Sequence, residues 1–193
     1  RRQARLANGF YFLEMPMEVA ETSRGCPNNC KFCCITQMYG HTFRRFSLER
    51  IISDLKTIRD QGSKAVFFAD DNITHDIDHF RKVCQAIVQH RLNDLCYLTQ
   101  VSAVGIAQHP ELVAEMDRAK FRLAFVGFES MDPEALKDMK KPTSPELNRR
   151  AAALLRQHRI AIIAGLIMGY PEDTRESVIH NWHMMEDLKP DLI

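Results

Sequence analysis

The sequence predicts an α/β fold in which short buried strands alternate with amphipathic helices. Successive apolar runs begin roughly thirty residues apart, which is the length of one βαβ unit. Most of these runs are continuous, as expected of strands that are buried on both faces of a parallel sheet. Repeated units of this kind close into a barrel or form an open doubly wound sheet.

The apolar runs and the helical patterns between them place the elements in order along the chain. Strands are predicted at Val19–Ser23, Ala65–Ala69, Tyr97–Val101, Leu123–Phe128 and Ile160–Met168. Helices are predicted at Leu48–Gln61, Asp76–His90, Pro110–Ala119, Pro145–His158 and Thr174–Leu188. The last residues, Pro190–Ile193, have the composition of an opening strand, so we expect the pattern to continue into a sixth strand.

Two helices carry clear start signals. Ser47 is a candidate N-cap, and the apolar residues that follow it recur at helical spacing. These residues are Leu48, Ile51, Ile52, Leu55 and Ile58. Ser144 is the second candidate N-cap, because Pro145 suits the first turn of a helix.

The two ends of the chain fit the repeating pattern less well. Residues 1–18 match neither a strand nor a helix clearly, and we interpret them as a linker or leader. Residues 19–193 form the predicted core, which stops as its sixth strand begins. The sequence therefore reads as a fragment or excised region of a longer protein.

The composition excludes several classes of protein. Apolar residues make up 45% and charged residues 26% of 193 residues, as in ordinary globular domains. The net charge of +1 implies no overall attraction to nucleic acid or to an anionic membrane. The longest apolar stretch, Ile160–Tyr170, is too short to span a bilayer, and no apolar signal-peptide segment follows the basic N-terminus. We expect a cytoplasmic protein.

The cysteines are distributed in a way that indicates metal or redox chemistry. Four of the six lie within nine residues, whereas a disulfide framework would spread them through the chain. Cys26, Cys30 and Cys33 have C-x₃-C-x₂-C spacing and follow the first predicted strand. Three thiolates in one loop can hold three corners of an iron–sulfur cubane and leave one iron open. Cys34 is predicted to be a small buried residue.

A structural zinc site is the alternative interpretation of the same cysteines. Zinc would require a fourth Cys or His ligand, and His41 lies within reach in sequence. A simple electron-transfer iron–sulfur protein is disfavoured, because no well-placed fourth cysteine is evident.

The cysteine motif resembles the signature of the radical S-adenosylmethionine (radical SAM) superfamily. That signature has an aromatic residue before the last cysteine, and Phe32 occupies this position. The segment Glu21-Thr-Ser-Arg-Gly-Cys-Pro27 is similar to members that follow a cobalamin-binding domain and to methylthiotransferases. The resemblance implies a partial (β/α) barrel of parallel strands and a [4Fe–4S] cluster. Its open iron would bind S-adenosylmethionine, whose reductive cleavage yields a 5′-deoxyadenosyl radical.

Polar residues at two of the middle strand ends are candidates for contacts with the S-adenosylmethionine. Asp70 and Asp71 stand where the family holds the ligand's amino group, although one of them can instead cap the next helix. Their sequence departs from the commoner Gly-Gly-Glu form of the family. Gln100 and Ser102 are polar residues in an apolar strand. We expect each to form a hydrogen bond either to a structural partner within the protein or to the ligand's carboxylate.

The last two strands end in motifs that also resemble the family. Glu129 lies in a Gly-x-Glu-Ser ending, which implies a bond to the ribose or to the ammonium group; the alternative is an ion pair with Lys or Arg. Gly165, Gly169 and Pro171 match a segment that lies along the adenine in the family. Glycines at a strand end also predict close approach to something flat.

These observations predict the core of a radical SAM enzyme that acts on a small-molecule substrate. Methylation, cyclisation and sulfur insertion all occur among similar proteins, and cobalamin would be bound outside this chain. An external electron donor such as a flavodoxin or ferredoxin is expected as a partner, and neither nucleic acid nor membrane is. The alternative is a zinc-stabilised α/β binding module without catalytic activity.

Overall fold

A computed structural model describes residues 9–193. The strands are β1 (Phe10–Phe12), β2 (Met15–Ala20), β3 (Ser23–Arg24), β4 (Arg44–Arg45), β5 (Ala65–Phe68), β6 (Cys96–Ser102), β7 (Phe121–Glu129) and β8 (Ala161–Leu166). The helices are α1 (Ile35–Tyr39), α2 (Leu48–Asp60), α3 (Ile77–Gln89), α4 (Ala103–Gln108), α5 (Pro110–Arg118), α6 (Pro133–Asp138), α7 (Pro145–Gln157) and α8 (Arg175–Glu186). A short 3₁₀ turn at Ile73–His75 precedes α3.

Six strands form one curled, mostly parallel sheet in the order β1-β2-β5-β6-β7-β8. In this sheet β2, β5, β6, β7 and β8 run parallel, and only β1 at the edge is antiparallel to its neighbour. The partial (β/α) barrel predicted from the sequence is confirmed. Because all five parallel strands point the same way, the loops that follow them meet at one edge of the sheet.

Aromatic packing fills the core where the middle strands face the helices. Phe68, Tyr97 and Phe121 come from three adjacent strands, and their ring centroids lie 5.3–5.9 Å apart. Phe80 from α3 meets Phe121 edge-on at 5.3 Å. All four rings are fully buried, which explains why these strands have continuous apolar sequences.

The predicted helix signals are present in the structure. Ile51, Ile52, Leu55 and Ile58 of α2 are all buried against the sheet, as the apolar spacing predicted. The hydroxyl of Ser47 accepts a hydrogen bond from the backbone N–H of Arg50. Ser144 caps α7 in the same way, with the N–H of Leu147 as donor.

The first strand lies earlier in the sequence than predicted. The prediction was Val19–Ser23, whereas β2 spans Met15–Ala20 and pairs with β5 from Met17 onward. Thr22 and Ser23 leave the sheet because their side chains turn to a buried carboxylate at the end of β5. The other four predicted strands agree with the structure to within two residues at each end.

The ends of the described chain add to the sheet. β1 and most of β2 lie within residues 1–18, where no element was predicted, and Phe10 pairs with Met17. Residues 1–8 of the predicted leader lie outside the described residues, and the division of the chain at residue 18 stays a prediction. Near the other end, Leu192 forms a parallel bridge with Ile163, where the sixth strand was expected to open.

The helices also bear on the membrane prediction. Among residues 9–193, none is long and apolar enough to cross a bilayer.

The aromatic core provides a test of the fold. Phe121→Ala should lower the free energy of unfolding by about 3–5 kcal/mol, because it removes the ring that touches three others. Val88→Ala, at a half-exposed position of α3, should change it by less than about 0.5 kcal/mol. Urea denaturation followed by circular dichroism measures both. Equal losses in the two variants would contradict the packing described here.

Candidate functional site

A cavity of about 290 Å³ opens at the edge of the sheet where the parallel strands end. Its wall combines the loop after β3, the ends of β5, β6 and β7, and the segment after α6. Eight of the residues that the sequence singled out line it: Cys26, Cys30, Phe32, Cys33, Asp71, Gln100, Ser102 and Glu129. Widely separated parts of the chain therefore meet at one place, as the strand-end pattern predicted.

The loop that carries the three cysteines has a fixed shape. Cys33 donates its backbone N–H to the carbonyl of Cys30, which closes a turn between these two residues. The N–H of Lys31 donates to the carbonyl of Met139 at 3.0 Å, so the loop is anchored to the end of α6. Cys30 is buried, and this burial raises the pKa of its thiol.

Cys34 differs from the three cysteines that precede it. It is exposed, and its carbonyl accepts the first hydrogen bonds of α1 from Gln37 and Met38. The sequence predicted a small buried residue, so the burial prediction is wrong. Its thiol lies outside the cavity wall, which leaves Cys26, Cys30 and Cys33 as the thiols that line the cavity.

Gly25 is required by the geometry of the loop. Its φ of +92° lies in the left-handed region, and a Cβ there would sit 2.3 Å from the carbonyl oxygen of Thr42. Its N–H donates to the Asp71 carboxylate at 2.7 Å. The loop therefore passes between Thr42 on one side and Asp71 on the other, and only glycine fits this passage.

The adjacent acids Asp70 and Asp71 have different surroundings. Asp70 is fully buried and accepts hydrogen bonds from the N–H and hydroxyl of Thr22 and from the hydroxyl of Ser23. Burial raises the pKa of Asp70, and the same hydrogen bonds oppose that rise. Asp70 does not line the cavity, so its predicted contact with a ligand is replaced by a structural one. Asp71 lines the cavity and holds Gly25.

A hydrogen-bonded series runs from β6 to the first cysteine. The N–H of Ser102 donates to Thr74 Oγ1 at 2.8 Å, and the two hydroxyls are also 2.8 Å apart. Thr74 Oγ1 donates to Asn72 Oδ1 at 2.9 Å, and Asn72 Nδ2 lies 3.8 Å from Cys26 Sγ. Ser102 has the structural partner that was one of its two predicted alternatives. Gln100 lines the cavity beside it.

Glu129 ends β7 in an unusual backbone conformation. Its φ is +64°, and its carboxylate accepts a hydrogen bond from Lys141 Nζ at 2.7 Å. Both side chains are largely buried. A Cβ on Gly127 would lie 2.4 Å from Glu129 Oε1, so the small residue makes room for the pair. The ion pair considered from the sequence is present, and it lies inside the cavity wall.

An aromatic ring lies beside this ion pair. Lys141 Nζ lies 5.7 Å from the centroid of the Phe32 ring, a cation–π contact. Phe32 therefore contacts this ion pair from the cysteine loop.

The glycine-rich segment after β8 stands apart from the cavity. Gly165 pairs with Gly127 across the sheet, and a Cβ on it would lie 3.0 Å from the Phe125 ring. The Phe125 ring, which itself lines the cavity, therefore packs against Gly165, and the contact of this segment with adenine stays a prediction. Gly169 and Pro171 are exposed, and neither lines the cavity.

The arrangement of the thiols bears on the kind of metal centre. Among residues 9–193, no group of three or more Cys, His, Asp or Glu side chains is close enough to hold a single metal ion. A mononuclear zinc site needs its ligands about 2.0–2.3 Å from one ion. In a cubane, each cysteine binds a different iron, so the thiols need to surround a cavity and not one point. Cys26, Cys30 and Cys33 all line the same cavity, as a cluster held by three thiolates requires.

Comparison with known proteins identifies the family. The sequence model of the radical SAM superfamily matches residues 20–181. The chain belongs to this superfamily. The radical SAM match begins at the last residue of β2 and continues into α8, so it includes every cavity-lining residue named above.

Two curated relatives of this radical SAM chain are hopanoid methylases. It is 31% identical to the hopanoid C-3 methylase of Methylococcus capsulatus over 178 residues, which are 90% of this chain and 34% of that protein. It is 32% identical to the hopanoid C-2 methylase of Rhodopseudomonas palustris over 165 residues, which are 80% of this chain and 30% of that protein. The chain thus spans about a third of the length of these relatives.

A solved structure has the same radical SAM fold. The radical S-adenosylmethionine methyltransferase TsrM from Kitasatospora setae, with cobalamin and a [4Fe–4S] cluster bound, superposes with a TM-score of 0.84 at 19% identity. The match covers 92% of this chain and 36% of TsrM.

Sequence reasoning missed several residues of the cavity wall, among them Asn72, Lys141 and Phe125. Asn72 directly follows the two acids at the end of β5, and this adjacency is the sequence signal for its place in the wall. Lys141 reaches Glu129 from the segment after α6, and no local pattern indicates this approach. Phe125 lies within an apolar strand, and its sequence context is the same as that of a core residue, so nothing in the sequence indicates that it lines the cavity.

The passage of the cysteine loop past Thr42 gives a matched pair of variants. Gly62 has a φ of +87°, and a Cβ added there would meet no atom within 4 Å. Backbone strain alone should therefore lower the free energy of unfolding of Gly62→Ala by about 1–2 kcal/mol. Gly25→Ala should lower the free energy of unfolding by more than this, because the new Cβ displaces the loop. For the same reason it should fail to take up iron on anaerobic reconstitution. Iron analysis and urea denaturation measure these effects. Equal iron uptake by the two variants would show that the loop tolerates the side chain.

Proposed function

We propose that this chain is the catalytic core of a radical SAM methyltransferase that holds a [4Fe–4S] cluster on Cys26, Cys30 and Cys33. The cluster, when bound, supplies the electron that cleaves S-adenosylmethionine to methionine and a 5′-deoxyadenosyl radical. The observation that carries the proposal is the convergence of the three thiols and the ends of three parallel strands on one cavity.

The polar residues of the cavity supply the contacts that orient S-adenosylmethionine. Glu129 offers a carboxylate to the ammonium group or to the ribose hydroxyls, and Gln100 offers an amide to the carboxylate. Asp71 acts on the loop, since its carboxylate holds Gly25 beside the first cysteine. Phe32 and Phe125 are the apolar part of the wall and help to exclude water from the reacting atoms.

Methyl transfer is the reaction that the relatives favour. The two hopanoid methylases match 80–90% of this chain at more than 30% identity. TsrM, whose fold is the same, is also a methyltransferase and is described with cobalamin bound. We infer a small-molecule substrate, an external electron donor such as a flavodoxin or ferredoxin, and cobalamin supplied from outside residues 9–193.

A zinc-stabilised binding module is the alternative function. It predicts one zinc per chain and no acid-labile sulfide after expression. The radical SAM proposal predicts about four irons and four sulfides per chain and absorption near 400 nm after anaerobic reconstitution. Metal and sulfide analysis of the same sample separates the two.

Replacement of one cysteine tests the cluster assignment. Cys30→Ala should abolish both iron uptake and S-adenosylmethionine cleavage by the reduced protein, since it removes one of three ligands. Cys34→Ala is the matched control and should retain both properties, because the Cys34 thiol is exposed and lies outside the cavity wall. Liquid chromatography of methionine and 5′-deoxyadenosine measures cleavage. Full cleavage by Cys30→Ala would rule out the assignment.

The carboxylate of Glu129 gives a test of ligand binding. Glu129→Gln should weaken S-adenosylmethionine binding at least about tenfold, since a hydrogen bond to a charged group contributes about 1.5–3 kcal/mol. Glu134→Gln is the control, because Glu134 forms an exposed ion pair with Lys137 on α6. Isothermal titration calorimetry on the reconstituted proteins measures the Kd. An unchanged Kd in Glu129→Gln would mean that Glu129 serves only its pair with Lys141.

A further inference from the structure

We propose that Asn72 is a positioning residue that donates an N–H···S hydrogen bond to Cys26 and raises the reduction potential of the cluster held there. Thr74 fixes the direction of this bond, although it lies outside the cavity wall. The proposal rests on the proposed function, because it assumes that Cys26 is a cluster ligand. It adds residues that set how easily the cluster accepts an electron.

The contact itself is built into the wall of the cavity. Asn72 Nδ2 lies 3.8 Å from Cys26 Sγ, which is within the range of hydrogen bonds to sulfur. Asn72 is only 8% exposed, and Thr74 is only 4% exposed. The amide is therefore shielded from water. In this environment its hydrogen bonds are stronger than on an open surface.

The hydrogen-bond partners determine which end of the amide faces the sulfur. Thr74 Oγ1 accepts from the N–H of Ser102 and lies 2.8 Å from the Ser102 hydroxyl. The Ser102 oxygen in turn accepts from the N–H of Gly105, so its own proton is available for Thr74. A ligating thiolate can only accept, so the arrangement that gives every contact of this series a donor places the Thr74 proton on Asn72 Oδ1 at 2.9 Å. The acceptor end of the amide, Oδ1, therefore faces Thr74, and Nδ2 faces Cys26.

The start of α4 holds this series in place. Ser102 is the N-cap of α4, and its side chain accepts from Gly105 at 3.2 Å. A Cβ on Gly105 would lie 2.6 Å from Thr74 Cβ, so glycine permits the close approach of the helix to the threonine. The direction of the Asn72 amide is thus set by the N-terminus of α4, the helix that directly follows the neighbouring strand β6.

The expected effect on the cluster follows from charge. Reduction adds one electron, and part of the added negative charge resides on the ligating sulfurs. A donor that points at one of them stabilises the reduced form more than the oxidised form. Hydrogen bonds to the sulfurs are among the factors that set iron–sulfur potentials, so Asn72 should make this cluster easier to reduce.

Redox titration of the reconstituted full chain, followed by electron paramagnetic resonance without S-adenosylmethionine, tests the proposal. In Asn72→Leu, the ratio of reduced to oxidised cluster at the wild-type midpoint should fall about tenfold, which corresponds to about 59 mV for a one-electron couple. Iron and sulfide are quantified first, so that only fully loaded samples are compared. Equal midpoints in fully loaded wild type and Asn72→Leu would overturn the proposal.

A pair of variants at Thr74 keeps the test independent of how well Asn72→Leu folds. Thr74→Val keeps the shape but removes the hydroxyl that orients the amide, and it should shift the midpoint in the same direction by a smaller amount. Thr74→Ser restores the hydroxyl and should restore the midpoint. If Thr74→Val and Thr74→Ser have the wild-type midpoint, the orienting role is wrong. A wild-type protein that takes up no iron would instead contradict the proposed function.

Discussion

The buried carboxylate of Asp70 is the interaction on which the geometry of the site depends. It lies at the end of β5 and binds Thr22 and Ser23, the residues that leave β2. Burial of a carboxylate is costly unless hydrogen bonds compensate it, and here three donor groups converge on it. The chain consequently turns out of the sheet at a defined point. The loop that follows then begins in one position and carries the three cysteines over the edge of the sheet.

Sequence reasoning recovers the parts of this molecule that depend on burial. The strands β5 to β8 are recognisable because their apolar runs are continuous, although the burial of β8 alternates along the strand and Phe125 of β7 is exposed. The α2 stripe and the Ser47 and Ser144 caps follow from helical spacing and from the chemistry of side-chain oxygens. The edge hairpin and the short helices α1, α4 and α6 lack such a signal, because each is too short to show a period.

The candidate site is predictable only where its residues lie in local motifs. Phe32 and the cysteines form one motif, and Glu129 ends a recognisable strand. The distinction between Asp70 and Asp71 is not visible in sequence, because it arises from their partners: Asp70 accepts from Thr22 and Ser23, and Asp71 accepts from the N–H of Gly25. Lys141 belongs to the site only because the segment after α6 folds back on β7. Such contacts depend on how the units pack and not on the order of residues within one unit.

The segment after α6 also links the end of β7 to the cysteine loop. Glu129 adopts a left-handed backbone conformation and is largely buried, which together are unfavourable without a partner. Lys141 provides that partner, and its own position depends on the anchoring of this segment to the cysteine loop. That anchor is the hydrogen bond from Lys31 to the carbonyl of Met139, with an ion pair between Lys31 and Asp138 beside it.

The cysteine loop, the end of β7 and the segment after α6 therefore support one another around the same space. Loss of Lys141 would leave the largely buried Glu129 carboxylate without its partner. The strain at Glu129 is maintained by the surrounding structure at the place where we propose that the ligand binds, so the polar groups are already in position before it enters. A site held in this way spends less of the binding free energy of the ligand on ordering its own walls.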